Sequence, residues 1–239
     1  MLFIHRAENH ALAPLTKIST SMKDKKFVTN ENVSPRLFEN KWLDRLSRTH
    51  IAIPVTMFFL YSASLIYYTK VATDLNNLEV VGLFFAGWFL FTFAEYMFHR
   101  FVYHLDLESE ASKKFAYNVH GVHHDYPKDK QRLAMPPVLS VVIGTILLLI
   151  FELVLDEYSF STLAGFMVGY AFYLLVHYSV HIFRPPNNIL KELWKNHAIH
   201  HYKDDTIMYG VSSPIWDYVF RTLPKDKNMK RNLEVKGGV

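Results

Sequence analysis

The 239-residue chain contains no cysteine. That excludes a disulfide framework, thiolate metal sites and thiol nucleophiles. Its net charge of +4 is small, and no run of Lys and Arg is interleaved with aromatic residues, so nucleic acid is excluded as a partner. Residues 1–50 mix charged and polar groups without a continuous apolar core, so they do not read as a secretory signal. No internal repeat and no linker divides the chain.

Half of the residues are hydrophobic, yet 20% are charged, so the apolar residues must be gathered into blocks. Four blocks approach the roughly 20 residues that a helix needs to cross a bilayer. They are residues 51–69, 78–98, 138–155 and 160–183. They are too long for strands and lack regular alternation. The fold expected is all-α, an integral membrane four-helix bundle with a helical cap. The first two spans pair around residues 70–77 and the last two around residues 156–159. Nine Lys/Arg lie before residue 51, six between 99 and 137, and ten after 183, while the two short turns share only Lys70. By the excess of positive charge on cytoplasmic loops, both termini and the central loop should be cytosolic. A multi-pass protein of the bacterial inner membrane or endoplasmic reticulum is expected. Residues 1–50 form a cytosolic segment, 51–222 the membrane domain and 223–239 a charged, frayed tail.

Two shorter helices are also expected. Residues 35–50 read as an amphipathic helix lying on the membrane surface, with Leu37, Phe38, Trp42 and Leu46 on one face. Ser213 followed by Pro214 suits an N-cap and first helical position, with Trp216, Val219, Phe220 and Leu223 as its stripe.

The unusual count is 13 His, ten of them between residues 99 and 201. They form four groups: His99 and His104; His120, His123 and His124; His177 and His181; and His197, His200 and His201. Positions i, i+3 and i+4 share one helix face, so each triplet should aim three imidazoles at one region. His99 and His104 lie about 140° apart on an ideal helix, so they either serve different ions or the helix loosens between them. The topology carries all four groups to one end of the bundle. Ten imidazoles suffice for two metal ions of the kind that imidazole favours, Zn, Cu, Fe or Ni. His5, His10 and His50 read as ordinary surface residues. Glu95, Asp125, Asp204, Asp205 and Asp217 stand near the groups and are candidates to orient the imidazoles. A membrane metal transporter is a rival, but its ligands belong at mid-bilayer depth.

The segments Glu95-Tyr-Met-Phe-His-Arg, His120-Gly-Val-His-His, Arg132-Leu-Ala-Met-Pro-Pro and Tyr209-Gly-Val-Ser-Ser-Pro-Ile-Trp-Asp resemble the fatty acid 2-hydroxylases. These belong to the wider fatty acid hydroxylase and sterol desaturase superfamily. The resemblance covers roughly residues 50–222. It implies a di-metal centre with the ten box histidines as ligands, O2 as co-substrate, and hydroxylation at C2 of a lipid acyl chain. It also implies that Tyr170 and Tyr173, ahead of the third group, line the substrate site. No catalytic group beyond the metal ligands is expected. Iron is the expected working metal, with zinc able to replace it on purification. Some members carry a haem-binding electron carrier at the N-terminus. About 50 residues precede the first span here, so electrons should come from a separate cytochrome or ferredoxin-type donor. A carotenoid or sterol oxygenase of the same superfamily is the nearest rival.

Overall fold

The computed structural model describes residues 27–104 and 109–226, and no strand occurs among them. Four long helices carry the apolar blocks: α2 (Ala52–Ala72), α3 (Asn77–Phe98), α6 (Pro137–Leu155) and α7 (Ser159–Ile182). Short helices fill the connections: α1 (Lys41–Leu46), α4 (Glu110–Ala116), α5 (Val122–Asp125), α8 (Lys191–Tyr202) and α9 (Ile215–Val219). By length and composition α2, the run Asn77–Tyr103 and the run Pro137–Ile182 can cross a membrane. The last run holds both α6 and α7, which are separated only by the tight turn Asp156–Tyr158. Asp156 reverses the chain there with φ of 50°.

Local chemistry sets these boundaries. Asn76 opens α3 with a capping box: its Oδ1 accepts from Leu78 and Glu79 N–H, and Glu79 accepts from Asn76 N–H at 2.8 Å. Pro137 begins α6, where its missing N–H costs nothing.

α7 is the central helix. It carries Leu163, Ala164, Met167, Ala171 and Leu174 in the core and packs against α2, α3 and α6. Its approach to α3 is set by small residues. A Cβ on Gly165 would overlap the Phe84 carbonyl, and one on Gly87 would overlap the Thr162 carbonyl. Gly165 and Gly87 thus let the two backbones touch, and Gly169 makes room for the Phe91 side chain, where apolar burial alone cannot drive association. Hydroxyls tie α7 to α2, with Ser62 Oγ donating to Ala164 O at 3.0 Å and Ser161 Oγ to Thr69 Oγ1 at 3.1 Å. Away from α7, the long helices expose large apolar side chains such as Phe85, Phe89, Leu149 and Leu153, the surface that a bilayer covers.

The expected surface helix over 35–50 is shorter. Over these residues only Lys41–Leu46 is helical, capped by Asn40, and Leu37 and Phe38 precede it in irregular chain. The buried Asp44 accepts from Leu37 N–H at 2.8 Å and holds that approach non-helical. Residues 27–50 form a strap across the cap. Thr29 N–H donates to Asp125 O, Ser34 Oγ to Asp129 Oδ2, and Thr49 N–H to Gln131 O. Helix α9 begins one residue later than expected. Pro214 is its N-cap, and Ser213 Oγ accepts from Ile215 N–H. Trp216 and Phe220 pack on Phe93, while Val219 is exposed. The expected frayed tail lies mostly outside the described residues, as do His5 and His10.

Candidate metal centre

The long helices converge so that α3 and α7 end, and α2 and α6 begin, at the same end of the bundle. There the ten histidines form two clusters. One holds His99, His104, His120, His124 and His200; the other holds His123, His177, His181, His197 and His201. In each, one nitrogen from every ring lies within 4.8 Å of all the others. We call them clusters A and B.

Helical spacing builds cluster B almost alone. His177 and His181 stand one turn apart on α7, and His197 and His201 one turn apart on α8. Successive Nε2 atoms lie 2.9 Å apart for His123 and His177, 3.3 Å for His177 and His181, and 2.7 Å for His181 and His197. Cluster A needs backbone departures. The α3 helix widens to a π-helical turn over His99–Tyr103, which brings His104 to the same cluster as His99. A second π turn, Tyr117–Gly121, carries His120.

Each triplet therefore straddles both clusters, rather than aiming at one region. His120 and His124 face A while His123 faces B; His200 faces A while His197 and His201 face B. At positions i and i+3, a small angular offset sends the two rings to opposite sides of a shared seam. His124 and His201 stack across that seam, with centroids 4.2 Å apart.

Imidazole tautomers are fixed by the segment after α8. The His99 Nδ1–H donates to Tyr209 O at 2.6 Å, and the His200 Nδ1–H to Ile207 O at 2.8 Å. That tautomer puts the lone pair of each ring on Nε2, the nitrogen turned toward the other members of cluster A; His200 Nε2 lies 3.0 Å from His104 Nε2. Met208, between these two carbonyls, adopts φ of 58° and donates its N–H to Thr222 O. That left-handed residue lets neighbouring carbonyls reach two different histidines. The carboxylates expected to touch imidazoles hold this segment instead. Glu95 accepts from Val211 N–H at 2.6 Å, from Ser212 N–H at 2.8 Å and from Ser212 Oγ. Asp217 accepts from Tyr209 N–H at 2.9 Å and Gly210 N–H at 2.8 Å. A Cβ on Gly210 would overlap the Ser213 carbonyl, which explains glycine at that position. Asp204 caps its own turn through Thr206. His50 stands apart from the clusters, accepting from Ala52 N–H.

The donor set fits metal ions. Burial, then neighbouring imidazoles, holds His120, His123, His197 and His201 well below the ordinary imidazole range, so they are neutral ligands-in-waiting. The His99 Nε2 and both nitrogens of His201 are buried without a hydrogen-bond partner. Unpaired imidazole nitrogens are costly inside a protein unless a cation accepts their lone pairs. Two ligands about 2.1 Å from one ion lie roughly 3–4 Å apart, the scale of these clusters.

A cavity of about 190 Å³ leads from the bundle interior to the clusters. Phe58, Phe166 and Met167 line its apolar part, and Glu95, His99 and Tyr103 line its histidine end. Tyr170 and Tyr173 both line it. Tyr173 stacks on His177 at 5.3 Å and 14°, and Tyr170 stacks on Tyr173. Sequence reading missed Tyr103. It stacks on His120 at 4.9 Å and 19°, the counterpart at cluster A of Tyr173 at cluster B. Its only sequence signal is adjacency to His104, and without the π turn that gives no direction.

Residues 84–222 match the model of the fatty acid hydroxylase family. The chain is 38% identical to a ceramide very long chain fatty acid hydroxylase of Schizosaccharomyces pombe, over 70% of this chain and 47% of that protein. It is 31% identical to a dihydroceramide fatty acyl 2-hydroxylase of Arabidopsis thaliana, over 80% of each chain. The solved structure of full-length Scs7p, in which only the hydroxylase domain is visible, superposes with a TM-score of 0.72 at 31% identity, covering 78% of this chain and 71% of that one. The chain spans about half the length of several relatives it matches, 47% for the S. pombe enzyme and 40% for the human fatty acid 2-hydroxylase. With a matching domain that contains both histidine clusters and all of the cavity's lining except Phe58, the chain belongs to the fatty acid hydroxylase family.

Proposed function

We propose that this chain is a membrane-bound, O2-dependent monooxygenase that hydroxylates C2 of a fatty acyl chain. The observation that carries the reading is the apolar cavity between the helices, which ends against His99, Tyr103 and Tyr173. The names of the relatives, which include fatty acid and dihydroceramide acyl 2-hydroxylases, support the same substrate class.

Clusters A and B would hold one ion each. Iron, when bound, supplies the redox chemistry that an unactivated C–H bond requires and that no side chain here provides. The chain's own part is binding and orientation. Phe58, Phe166 and Met167 hold the tail in an apolar channel. Tyr170 and Tyr173 flank the reacting end and exclude water. In a bilayer an acyl chain keeps its polar end at the interface. The clusters sit where four helices end, so the carbons next to the carboxyl or amide are the ones within reach.

We read α2, α3, α6 and α7 as four spans, with the clusters and both termini on the cytosolic side, and electrons as delivered by a separate donor protein. Mass spectrometry of lipids from a host expressing the chain tests the activity. C2-hydroxylated acyl groups should appear with the intact chain and disappear with His200→Ala. Their absence, in a host that supplies a competent electron donor and with both ions loaded, would overturn the assignment.

A further inference from the structure

The surface around α1 has no part in the reading above. A groove of about 340 Å³ lies between α1 and the first turns of α2 and α6, lined by Trp42, Arg45, Leu46, Ile53 and Val138 among others. Its apolar members are exposed, Trp42 by 74%. Arg45 is exposed on the same short helix, and Lys41, one turn earlier, shares its face. Over residues 36–48, four cations (Arg36, Lys41, Arg45 and Arg48) stand against two acids (Glu39 and Asp44). Asp44 is already spent: Arg48 and Arg132 contact it at 2.7 and 3.0 Å. Arg45 and Lys41 thus form a cationic rim over an apolar floor.

We propose that this groove binds an anionic phospholipid, with its phosphate on Arg45 and Lys41 and its acyl chains over Trp42, Leu46, Ile53 and Val138. Three observations select a lipid. The apolar floor continues onto the exposed faces of α2 and α6 through Ile53, Val138, Val141 and Val142, in the first turns of two apolar helices. The groove lies where those helices begin, the level of the headgroups if they span the bilayer. Tryptophan beside arginine suits that boundary, since the indole is amphipathic and guanidinium pairs with phosphate oxygens. The site also touches the reaction cavity indirectly. Asp44, next to Arg45, binds Arg132, and three residues later Met135 lines that cavity. The inference rests on the membrane reading of α2 and α6 and not on the hydroxylation reaction.

The full chain, reconstituted in nanodiscs of equal phosphatidylcholine and phosphatidylglycerol, tests it. Lipids that remain bound after detergent extraction are counted by native mass spectrometry, with metal content as the check of fold. Phosphatidylglycerol should be enriched roughly tenfold over phosphatidylcholine, the factor one charge-assisted pair supplies. Arg45→Gln should remove that preference. Trp42→Ala should lower retention of both lipids, and Lys113→Gln, a cation on α4, should change nothing. An intact chain without headgroup preference would overturn the proposal, as would a preference that survives Arg45→Gln or is lost equally with Lys113→Gln.

Discussion

The two clusters hold five imidazoles each, yet they are built differently. Cluster B takes four of its members from two regular helices, as i and i+4 pairs on α7 and α8. Cluster A takes His99 and His120 from two π turns, His104 from just beyond the first, His124 one turn after His120 and His200 from α8, and it relies on the carbonyls of Tyr209 and Ile207 to set the rings of His99 and His200. B is thus close to preformed once α7 and α8 pack. A exists only when the 207–213 segment is in place. The lesson is that equal ligand counts can conceal unequal dependence on tertiary structure.

The sharpest way to break this comparison is to remove one ligand from each cluster. His123→Ala and His200→Ala should both abolish turnover. Elemental analysis should show each variant short of about one ion per chain, and a variant that turns over normally would remove that histidine from the proposed ligand set.

Acid should come next in effect. The folded environment depresses His120, His123, His197 and His201 below the usual value of 6.5. Both folded and unfolded states hold these rings neutral above that pH. As pH falls through it, the unfolded chain takes up protons first, so stability and metal are lost on acidification. Metal content followed against pH should fall below about pH 6, and full retention at about pH 4.5 would contradict a neutral imidazole site.

Glu95→Gln and Asp217→Asn sharpen the contrast further. Each loosens the segment that orients His99 and His200 while touching nothing in B. Affinity for one ion should fall about 10–100-fold, as for other partners behind metal ligands, while the second ion stays bound. Metal titration of the apo-protein would read the two affinities separately. Equal weakening of both sites would erase the distinction between A and B.

The smallest effects belong to the stacked tyrosines. Tyr103→Phe keeps the ring on His120 and should change turnover little, whereas Tyr103→Leu removes the stack. A loss equivalent to about 1 kcal/mol, several-fold in kcat, is expected for the leucine variant alone. Similar losses in both variants would give the phenol hydroxyl the role assigned here to the ring.

Much of this protein is written locally. The apolar blocks specify four long helices because only a helix satisfies its backbone within itself over such lengths. Asn76 with Glu79, and Pro137, mark two of their starts. Helical period and charge placement bring all ten histidines to one end, and i, i+4 spacing anticipates most of cluster B. The division of each triplet between two clusters was not legible. It depends on angles of a few tens of degrees between α5, α7 and α8, which packing alone fixes. Nor could the sequence show that Glu95 and Asp217 grip backbone N–H groups, that Met208 turns left-handed, or that the widened turn after Phe98 delivers His104 beside His99. Glu95 meets Val211 from 116 positions away, and even the nearer contacts, Asp217 with Tyr209 and Met208 with Thr222, form only in the packed fold, so no local propensity carries them. The chain by itself determined which imidazoles are available as ligands and at which end of the bundle they gather. The tertiary structure decided which of them meet, because direction around a helix becomes position in space only after the helices have packed.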